Sequence, residues 1–281
     1  MKIIVGKYSG FCAGVNYTYI KAKEELNNGK TYCLGEIIHN DQVIKELQDL
    51  WMITVNNIEL IPDNSRVIFR AHGEAPKSYL YAKEHNLSII DLTCGRVKLI
   101  HNKVAKEKDN SFVFIIGKKT HPEIVATYGF SGEDSTIIES IDDINNAIEE
   151  YKKSNKNKIY IVSQTTFSSL LFDTIVNEIK NMIGFNNIVV DKTICDATEK
   201  RQNEVVELSR KCNKMLVIGS KTSSNTKELY LYALNNCGEV FFIENEDDVK
   251  NINFNNNDII GVIAGASAPK YLIDKVVSLI K

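Results

Sequence analysis

The sequence lacks several features that would point to particular classes of protein. Its 281 residues carry a formal net charge of −2 and no dense basic tract, so the composition does not favour nucleic acid as a partner. No apolar run approaches the length of a membrane span, and the N-terminal MKIIVGKYSG opens like a strand, not like a secretion signal. No P-loop motif (GxxxxGKS or GxxxxGKT) occurs. We therefore expect a cytoplasmic protein that does not insert into a membrane.

The six cysteines do not indicate a disulfide scaffold, because they are dispersed and form no CxxC pair. Cys33 falls within a predicted strand, Cys212 near the end of a predicted helix and Cys237 in a turn. We assign these three to structure, as small buried or half-buried residues.

The other three cysteines, Cys12, Cys94 and Cys195, share one sequence setting. Each follows a short apolar run and directly precedes a helix-like stretch. A helix N-terminus favours a thiolate, although its dipole contributes only about 0.3–1 kcal/mol. Three thiolates leave one metal corner open, as in a catalytic site and unlike a closed structural one. The pattern predicts a shared metal or cluster site and fits either a 3Fe-4S or an open-cornered 4Fe-4S cluster.

Each of these cysteines begins a repeat of helix, strand and polar loop. The first polar cluster follows its cysteine by 27, 27 and 28 residues, at His39-Asn40, His121-Pro122-Glu123 and Ser223-Ser224-Asn225. A second cluster closes each repeat, at Arg70-Ala71-His72-Gly73, Gln164-Thr165-Thr166 and Gly265-Ala266-Ser267-Ala268-Pro269. Three such repeats predict three arms that build one central site.

The alternation of strands and helices predicts an α/β fold with parallel sheets. We expect three similar small α/β domains, at 1–93, 94–194 and 195–281, with the N-terminal strand able to dock on the third. The predicted strands are 2–6, 31–37, 66–73, 112–116, 159–166, 215–220 and 258–269, and the predicted helices include 13–27, 41–49, 96–108 and 197–211. Ligands bind beyond the carboxyl ends of parallel strands, where every polar cluster falls.

The polar clusters suit a phosphate-rich ligand. Three of the five histidines end predicted strands, and the hydroxyl- and amide-rich loops can donate hydrogen bonds to an anion. Glu123 is the one carboxylate placed among them and is a candidate proton donor. The equal alternative is that Glu123 is a first-turn helix residue that complements the helix dipole. His85 and His101 lie in helix-like segments, and we assign them to the surface or to packing.

Short segments along the whole chain carry a family resemblance. In chain order they are GFCAGV, GEIIHN, AHG, the TC of Cys94, HPE, SQTT, TIC followed by RQ, GSKTSSN and AGASAP. They resemble the 4-hydroxy-3-methylbut-2-enyl diphosphate reductases, the LytB/IspH family of the non-mevalonate isoprenoid pathway. The resemblance implies a pseudo-threefold cloverleaf of three α/β domains around a central cluster.

The resemblance also implies a role for each candidate residue. Cys12, Cys94 and Cys195 would ligate a 4Fe-4S cluster whose fourth iron faces the substrate and binds its allylic hydroxyl, beside Thr165. Glu123 would supply the proton that lets the hydroxyl leave as water, aided by His121. The diphosphate would be held by His39, His72, Ser223, Ser224, Asn225 and Ser267, with His121 and Thr165 also contacting the substrate. Electrons would come from a partner such as ferredoxin or flavodoxin, and the products would be isopentenyl and dimethylallyl diphosphate.

Two positions depart from the family pattern. Gly95 stands where the family typically carries proline, and 15–18 lacks a basic residue often seen there. Glycine leaves the backbone free where proline would fix it. The possibility that the protein is a paralogue with an altered substrate or altered cluster lability therefore stays open. Two other functions also stay open. One is an iron–sulfur hydro-lyase acting on another small anionic substrate without net reduction, and the other is a non-catalytic module that binds zinc through three cysteines and a histidine.

Overall fold

The computed structural model describes residues 1–184 and 186–280. Contacts divide the chain into two compact units. The terminal unit comprises Met1–Tyr19, Ile38–Asp49 and the chain from Asp196 onwards, and the middle unit comprises Ile20–Ile37 and Leu50–Cys195.

Strands and helices alternate along the described ranges. The strands are β1 (Lys2–Val5), β2 (Thr31–Leu34), β3 (Met52–Val55), β4 (Arg66–Phe69), β5 (Ser88–Asp91), β6 (Phe112–Ile116), β7 (Ser135–Ile138), β8 (Ile159–Ser163), β9 (Ile188–Val190), β10 (Lys214–Ile218), β11 (Glu239–Ile243) and β12 (Ile259–Ala264). The α-helices are α1 (Ala13–Leu26), α2 (Asp41–Asp49), α3 (Pro76–Glu84), α4 (Gly95–Glu107), α5 (Pro122–Ser131), α6 (Ile144–Lys153), α7 (Ser169–Ile183), α8 (Asp196–Ser209), α9 (Ser224–Leu234) and α10 (Lys270–Leu279).

The strands form three four-stranded sheets in which every pairing is parallel. The middle unit contains two, with strand orders β3-β2-β4-β5 and β7-β6-β8-β9. The terminal unit contains the third, with order β1-β12-β10-β11, in which Val5 lies opposite Val262. The predicted α/β class with three parallel sheets is confirmed.

Strand β6 explains why helices cover both faces of its sheet. Its side chains alternate between two hydrophobic clusters, with Phe112 and Phe114 in one and Val113 and Ile115 in the other. Helices α6 and α7 supply the first cluster, and α4 and α5 supply the second. A strand buried on both faces reads as a continuous apolar run, which is why FVFII was recognisable in the sequence.

The sheet of the terminal unit is built in the same way. Leu216 and Ile218 of β10 pack in a cluster with α10, whereas Met215 and Val217 pack with α8 and α9. The helices therefore fix the carboxyl ends of β10 and β12, and the loops that follow those ends leave from a rigid support.

Several predicted strands end earlier than expected. Strand β2 stops at Leu34 because Gly35 turns the chain with a φ of +74°, and β4 stops at Phe69. Strand β8 likewise ends at Ser163, before the predicted polar cluster. The polar clusters are therefore loop residues, whose side chains and backbone groups are available for contacts outside the sheet ladder.

The helices in the described ranges include none with both the length and the apolar character of a membrane-spanning segment.

Candidate active site

The polar clusters follow the carboxyl ends of strands in both units. In the middle unit they follow β4, β6 and β8, and Cys94 and Cys195 follow β5 and β9. In the terminal unit they follow β10 and β12. Every predicted site residue therefore lies in a loop or at the start of a helix, as expected for a parallel sheet.

Glu123 and Thr165 form the centre of the candidate site in the middle unit. Glu123 is 2% exposed and lies in the first turn of α5, and Thr165 follows β8. The Thr165 backbone N–H donates to Glu123 Oε1 at 2.6 Å, and its hydroxyl donates to Oε2 at 2.6 Å. Both carboxylate oxygens are thus held by one residue, which fixes the plane of the carboxyl group.

Burial raises the pKa of Glu123 to about 7, although the two hydrogen bonds from Thr165 favour the charged form and oppose the rise. A carboxylic acid with a pKa near neutrality is suited to donating a proton, because both protonation states are populated at working pH. The helix-dipole alternative for Glu123 does not account for a side chain so deeply buried.

His121 lies beside this carboxyl group as the N-cap of α5. Its Nδ1 accepts a hydrogen bond from the Glu123 N–H at 3.2 Å, so the neutral ring carries its proton on Nε2. Its ring meets that of His72 edge to face, with centroids 5.3 Å apart. These contacts bring together three of the predicted site residues of the middle unit.

The two candidate ligand cysteines of the middle unit are tied by their backbones to these loops. The Cys94 N–H donates to the Ala71 carbonyl at 3.0 Å, next to His72. The Cys195 N–H donates to the Thr165 carbonyl at 3.0 Å. The backbone of Cys195 is therefore fixed to Thr165, a predicted substrate-binding residue, and the backbone of Cys94 is fixed to Ala71, the neighbour of another.

Two aspartates hold the segments that lead to these cysteines, and the sequence analysis missed both. Asp91 accepts from the Thr93 N–H at 3.0 Å and pairs with Lys98 at 2.9 Å, which keeps the pKa of its carboxyl below the usual value against the opposing effect of burial. Asp191 accepts from the Tyr160 hydroxyl at 2.8 Å and pairs with Lys103 at 2.7 Å. The sequence signal was an aspartate followed by threonine before each of the two cysteines, DLTC and DKTIC.

Gln164 is a further residue that the sequence analysis left without a role. Its side chain is fully buried, accepts from the Lys118 N–H at 3.1 Å and donates to the Thr166 hydroxyl at 2.7 Å. It therefore connects the loop that leads to His121 with the loop that carries Thr165.

In the terminal unit, the start of α9 presents a group of hydrogen-bond donors. Ser223 is the N-cap, and its side chain accepts from the Thr226 N–H, while Ser224 and Asn225 occupy the first helical positions. The three side chains are 3–5% exposed. The N–H groups and dipole of a helix N-terminus favour an anion such as a phosphate.

The loop after β12 closes against this helix start. A Cβ at Gly265 would lie 2.1 Å from the Thr226 hydroxyl oxygen, so only glycine permits this approach. The Ala266 N–H donates to Asn225 Oδ1 at 3.0 Å, which fixes the orientation of the amide. Asn225 Nδ2 and the Ser267 hydroxyl are buried and hydrogen-bond no group in the part of the chain that the structure describes. Buried donors without a partner are uncommon in folded proteins, so these two groups are candidates for contact with a ligand.

The remaining predicted residues of the terminal unit are Cys12 and His39. Cys12 directly precedes α1, and its carbonyl accepts from the Asn16 N–H at 2.9 Å. His39 is half-buried and precedes Asn40, whose side chain accepts from the Val43 N–H at the start of α2. Each residue is thus held at the beginning of a helix.

The chemistry of the three cysteines fits a cluster. None of the three forms a disulfide, each is half-buried, and each stands immediately before a helix of 13 or 14 residues. Helix N-termini stabilise thiolates, which are the form that binds iron. By contrast, Cys33 is fully buried and its pKa is raised to about 12 by desolvation, so it suits packing and not ligation.

Comparisons with known proteins agree with these features. The model of the family described as "LytB protein" matches residues 3–281. A 4-hydroxy-3-methylbut-2-enyl diphosphate reductase of Thermoanaerobacter sp. (strain X514) is 35% identical over 291 residues, covering 100% of this chain and 97% of the relative.

Two solved structures are also similar to the chain. One, of an (E)-4-hydroxy-3-methyl-but-2-enyl diphosphate reductase described as the terminal enzyme of the non-mevalonate pathway, has a TM-score of 0.70 and 31% identity, covering 99% of this chain and 98% of its own. The other, of the E-1-hydroxy-2-methyl-but-2-enyl-4-diphosphate reductase of Plasmodium falciparum, has a TM-score of 0.87 and 30% identity, covering 99% and 87%.

Proposed function

Because the chain belongs to the LytB family over essentially its whole length, we propose that it is an iron–sulfur reductase acting on 4-hydroxy-3-methylbut-2-enyl diphosphate. The reaction breaks the bond between carbon and the allylic hydroxyl. Two electrons and two protons are taken up, the hydroxyl leaves as water, and isopentenyl or dimethylallyl diphosphate forms.

The observation that carries this function is the buried pair of Glu123 and Thr165. The departing hydroxyl needs a proton, and Glu123 has a pKa raised to about 7 and a carboxyl group fixed by two short hydrogen bonds. A general acid of this kind contributes roughly 10²–10⁴-fold to a rate. The Thr165 hydroxyl that now donates to Glu123 can also donate to, or accept from, a substrate hydroxyl. Thr165 thus connects the acid to the leaving group.

We propose that Cys12, Cys94 and Cys195 hold a 4Fe-4S cluster. When bound, the cluster would pass the two electrons from an external donor to the substrate and would offer a Lewis-acidic iron without a cysteine ligand. The backbones of Cys94 and Cys195 are fixed to the loops of His72 and Thr165, so the same loops that position the ligands position the substrate-binding groups. The three-domain arrangement, with boundaries near 93 and 194 and a cloverleaf around this cluster, is part of the same proposal.

The diphosphate is proposed to bind the donors identified in both units. Ser223, Ser224, Asn225 and Ser267 contribute hydroxyl and amide groups, and the start of α9 contributes its N–H groups. His39 and His72 complete the set, and His121 donates through Nε2 while its Nδ1 stays bound to the Glu123 N–H. Buried donors fixed in advance stabilise negative charge without reorganisation.

The electrons are proposed to come from a small redox protein such as ferredoxin or flavodoxin. Because the reaction consumes two electrons, this demand separates the reductase from a hydro-lyase, which needs none. The comparisons do not favour the hydro-lyase or the zinc module.

The test is turnover by protein purified without oxygen. We expect a brown protein whose visible absorption is bleached by a reductant, and which forms isopentenyl and dimethylallyl diphosphate when given the substrate and a reduced viologen dye. Mössbauer spectra with and without the substrate should show four irons, one of which changes on binding. Substrate conversion without electron consumption would identify a hydro-lyase, and a colourless protein with stoichiometric zinc would identify the module. Either result would overturn the proposal.

A further inference from the structure

His101 is a buried residue in the middle unit for which the proposed reaction has no use. It lies in α4 and is 4% exposed, and its ring stacks on Phe130 with centroids 4.4 Å apart and planes inclined by 21°. Burial lowers the pKa of His101 to about 4, so the ring is neutral at pH 7. Its Nε2 hydrogen-bonds no group within the described ranges. A buried nitrogen without a hydrogen-bond partner destabilises the fold, so an apolar side chain would be more favourable if the site required only filling.

The ring supports the turn that carries His72. The Gly73 N–H donates to the Arg70 carbonyl at 3.0 Å, which closes a four-residue turn, and Gly73 has a φ of +79°. A Cβ at Gly73 would lie 2.5 Å from His101 Cε1. The ring therefore occupies the space that the missing side chain leaves, and it lies directly beneath the residue that follows His72.

The same turn is tied to a candidate cluster ligand. A Cβ at Gly73 would also lie 3.2 Å from Thr93 and 3.3 Å from Val97, which flank Cys94 in the chain. The Cys94 N–H donates to Ala71 on the other side of His72. His72 is thus half-buried between two fixed neighbours, both of which rest on the segment that runs from Cys94 into α4.

We propose that His101 is a positioning residue that sets where His72 lies relative to Cys94, and so where the substrate diphosphate is held relative to the cluster. The flat ring packs between Phe130 and the backbone of Gly73, so the position of α4 determines the position of the turn. Since Cys94 is the N-cap of α4, the thiol and the imidazole of His72 are both positioned by this helix. This inference rests on the proposed function, because it assumes that His72 binds substrate.

The experiment compares His101→Ala, which removes the support, with His101→Phe, which keeps a flat ring against Phe130. In His101→Ala we expect KM for the substrate, and the inhibition constant of inorganic diphosphate, to rise roughly tenfold to a hundredfold, since small displacements of a binding group have effects of this size. We expect kcat to change less than KM, because Glu123 and Thr165 are untouched, and the cluster absorption to remain. His101→Phe should recover most of the loss in KM. A general loss of structure would lower kcat and cluster content and raise KM, all together. His101→Phe would then not restore KM alone.

The matched control is His85→Ala. His85 is in the same unit, stacks on Tyr81 at 3.9 Å and pairs with Asp63 at the surface, so its loss should leave KM unchanged. If His101→Ala proves too unstable to assay, the pair can be tested through Gly73→Ala. That change should raise KM in the wild-type background, and it should raise KM by a different factor in a His101→Phe background, because residues in contact are not additive. Equal factors in the two backgrounds would show that the residues act independently and would overturn the inference.

The outcomes separate the two proposals. If the wild-type protein and His85→Ala reduce no substrate, the proposed function fails. If both are active but His101→Ala has an unchanged KM, the inference about His101 is wrong while the function stands. It is also wrong if His101→Phe is as impaired as His101→Ala, because the ring shape would then not matter.

Discussion

Thr165 donates two hydrogen bonds of 2.6 Å to Glu123, one to each carboxylate oxygen, and so couples the end of β8 to the start of α5. The Thr165 carbonyl meanwhile accepts from the Cys195 N–H. One residue therefore touches the candidate proton donor through two groups and a candidate cluster ligand through a third. This geometry leads to the first predictions.

Replacing the acid should abolish most turnover without preventing binding. In Glu123→Gln the amide oxygen can still accept from Thr165, but the group cannot deliver a proton, so kcat should fall by roughly 10²–10⁴-fold. The inhibition constant of inorganic diphosphate and the cluster absorption should stay at wild-type values. Glu133→Gln is the control, since Glu133 is an exposed glutamate of the same unit. Normal turnover by Glu123→Gln would remove this residue from the mechanism.

The pH dependence of kcat should follow the protonation of Glu123. The acid must be protonated to act, and burial raises its pKa to about 7, so kcat should fall as pH rises through that value. The Thr165 hydroxyl bond favours the carboxylate, so Thr165→Val should move the fall to higher pH, whereas Thr165→Ser should leave it in place. The pH profile of kcat for the three proteins provides the test. A fall at the same pH in Thr165→Val would show that another group controls the profile.

The strands that are buried on both faces were predicted from the sequence, and so was the edge strand β1, whose residues are exposed or half-buried. Strands β6, β8, β10 and β12 are continuous apolar runs, and their pattern needs no knowledge of neighbours. Strands β3, β5, β7, β9 and β11 lie at the edges of their sheets and are only partly buried, and the sequence analysis did not predict them as strands, although β9 and β11 contain the apolar runs IVV and VFFI. Their positions depend on pairing with a neighbour that is distant in sequence.

The candidate site divides in a similar way. The three cysteines were identifiable because they recur at equivalent places in three repeats, and Glu123 because it is the one carboxylate among the polar clusters. The roles of Asp191 and Gln164 were not, because each role is defined by the partner that the side chain reaches, Tyr160 and Lys118 respectively. The segment DKTIC marks an aspartate that recurs before a cysteine, but no local pattern encodes its partner.

Glu123 should also make stability depend on pH. Its folded-state pKa of about 7 lies above the ordinary value of 4.5, so the folded state retains a proton that the unfolded chain releases. The associated stability is fully present below pH 4.5 and is lost as pH rises through about 7. Relative to wild type, Glu123→Gln should therefore gain free energy of unfolding over this range. Urea denaturation of the cluster-free proteins at several pH values measures the difference in free energy of unfolding between Glu123→Gln and wild type. A difference that does not change with pH would contradict the raised pKa.

Removing one candidate ligand should remove the cluster, whereas removing a structural cysteine should not. In Cys94→Ser most of the visible absorption should disappear, because the hydroxyl is a poor ligand for iron. Cys237→Ser is the matched control, since Cys237 is also half-buried but its thiol donates to the Cys212 carbonyl at 3.4 Å. Iron content and absorption of the two anaerobically purified variants provide the measurement. Unchanged spectra in Cys94→Ser would contradict the ligand assignment.

The glycine that departs from the family pattern should be replaceable by proline. Gly95 is the first residue of α4, the helical position that proline favours, and a Cβ there would meet no atom of the described chain within 4 Å. Cys94 has a φ of −55° and a ψ of 134°, and this ψ lies in the range that a residue before proline adopts. Gly95→Pro should therefore raise the free energy of unfolding by about 0.4–1 kcal/mol, because it restricts the unfolded chain.

Gly95→Ala is the matched control for this prediction. Alanine removes the freedom of glycine without fixing φ, so its gain should be smaller than that of proline. Both variants should keep wild-type cluster absorption, since neither alters the Cys94 thiol or the hydrogen bond from the Cys94 backbone N–H to the Ala71 carbonyl. Urea denaturation of the cluster-free proteins gives the order of stability. A destabilised Gly95→Pro would mean that the Gly95 N–H has a necessary partner, and the departure from the family would then reflect a different structure around Cys94 and not merely a looser one.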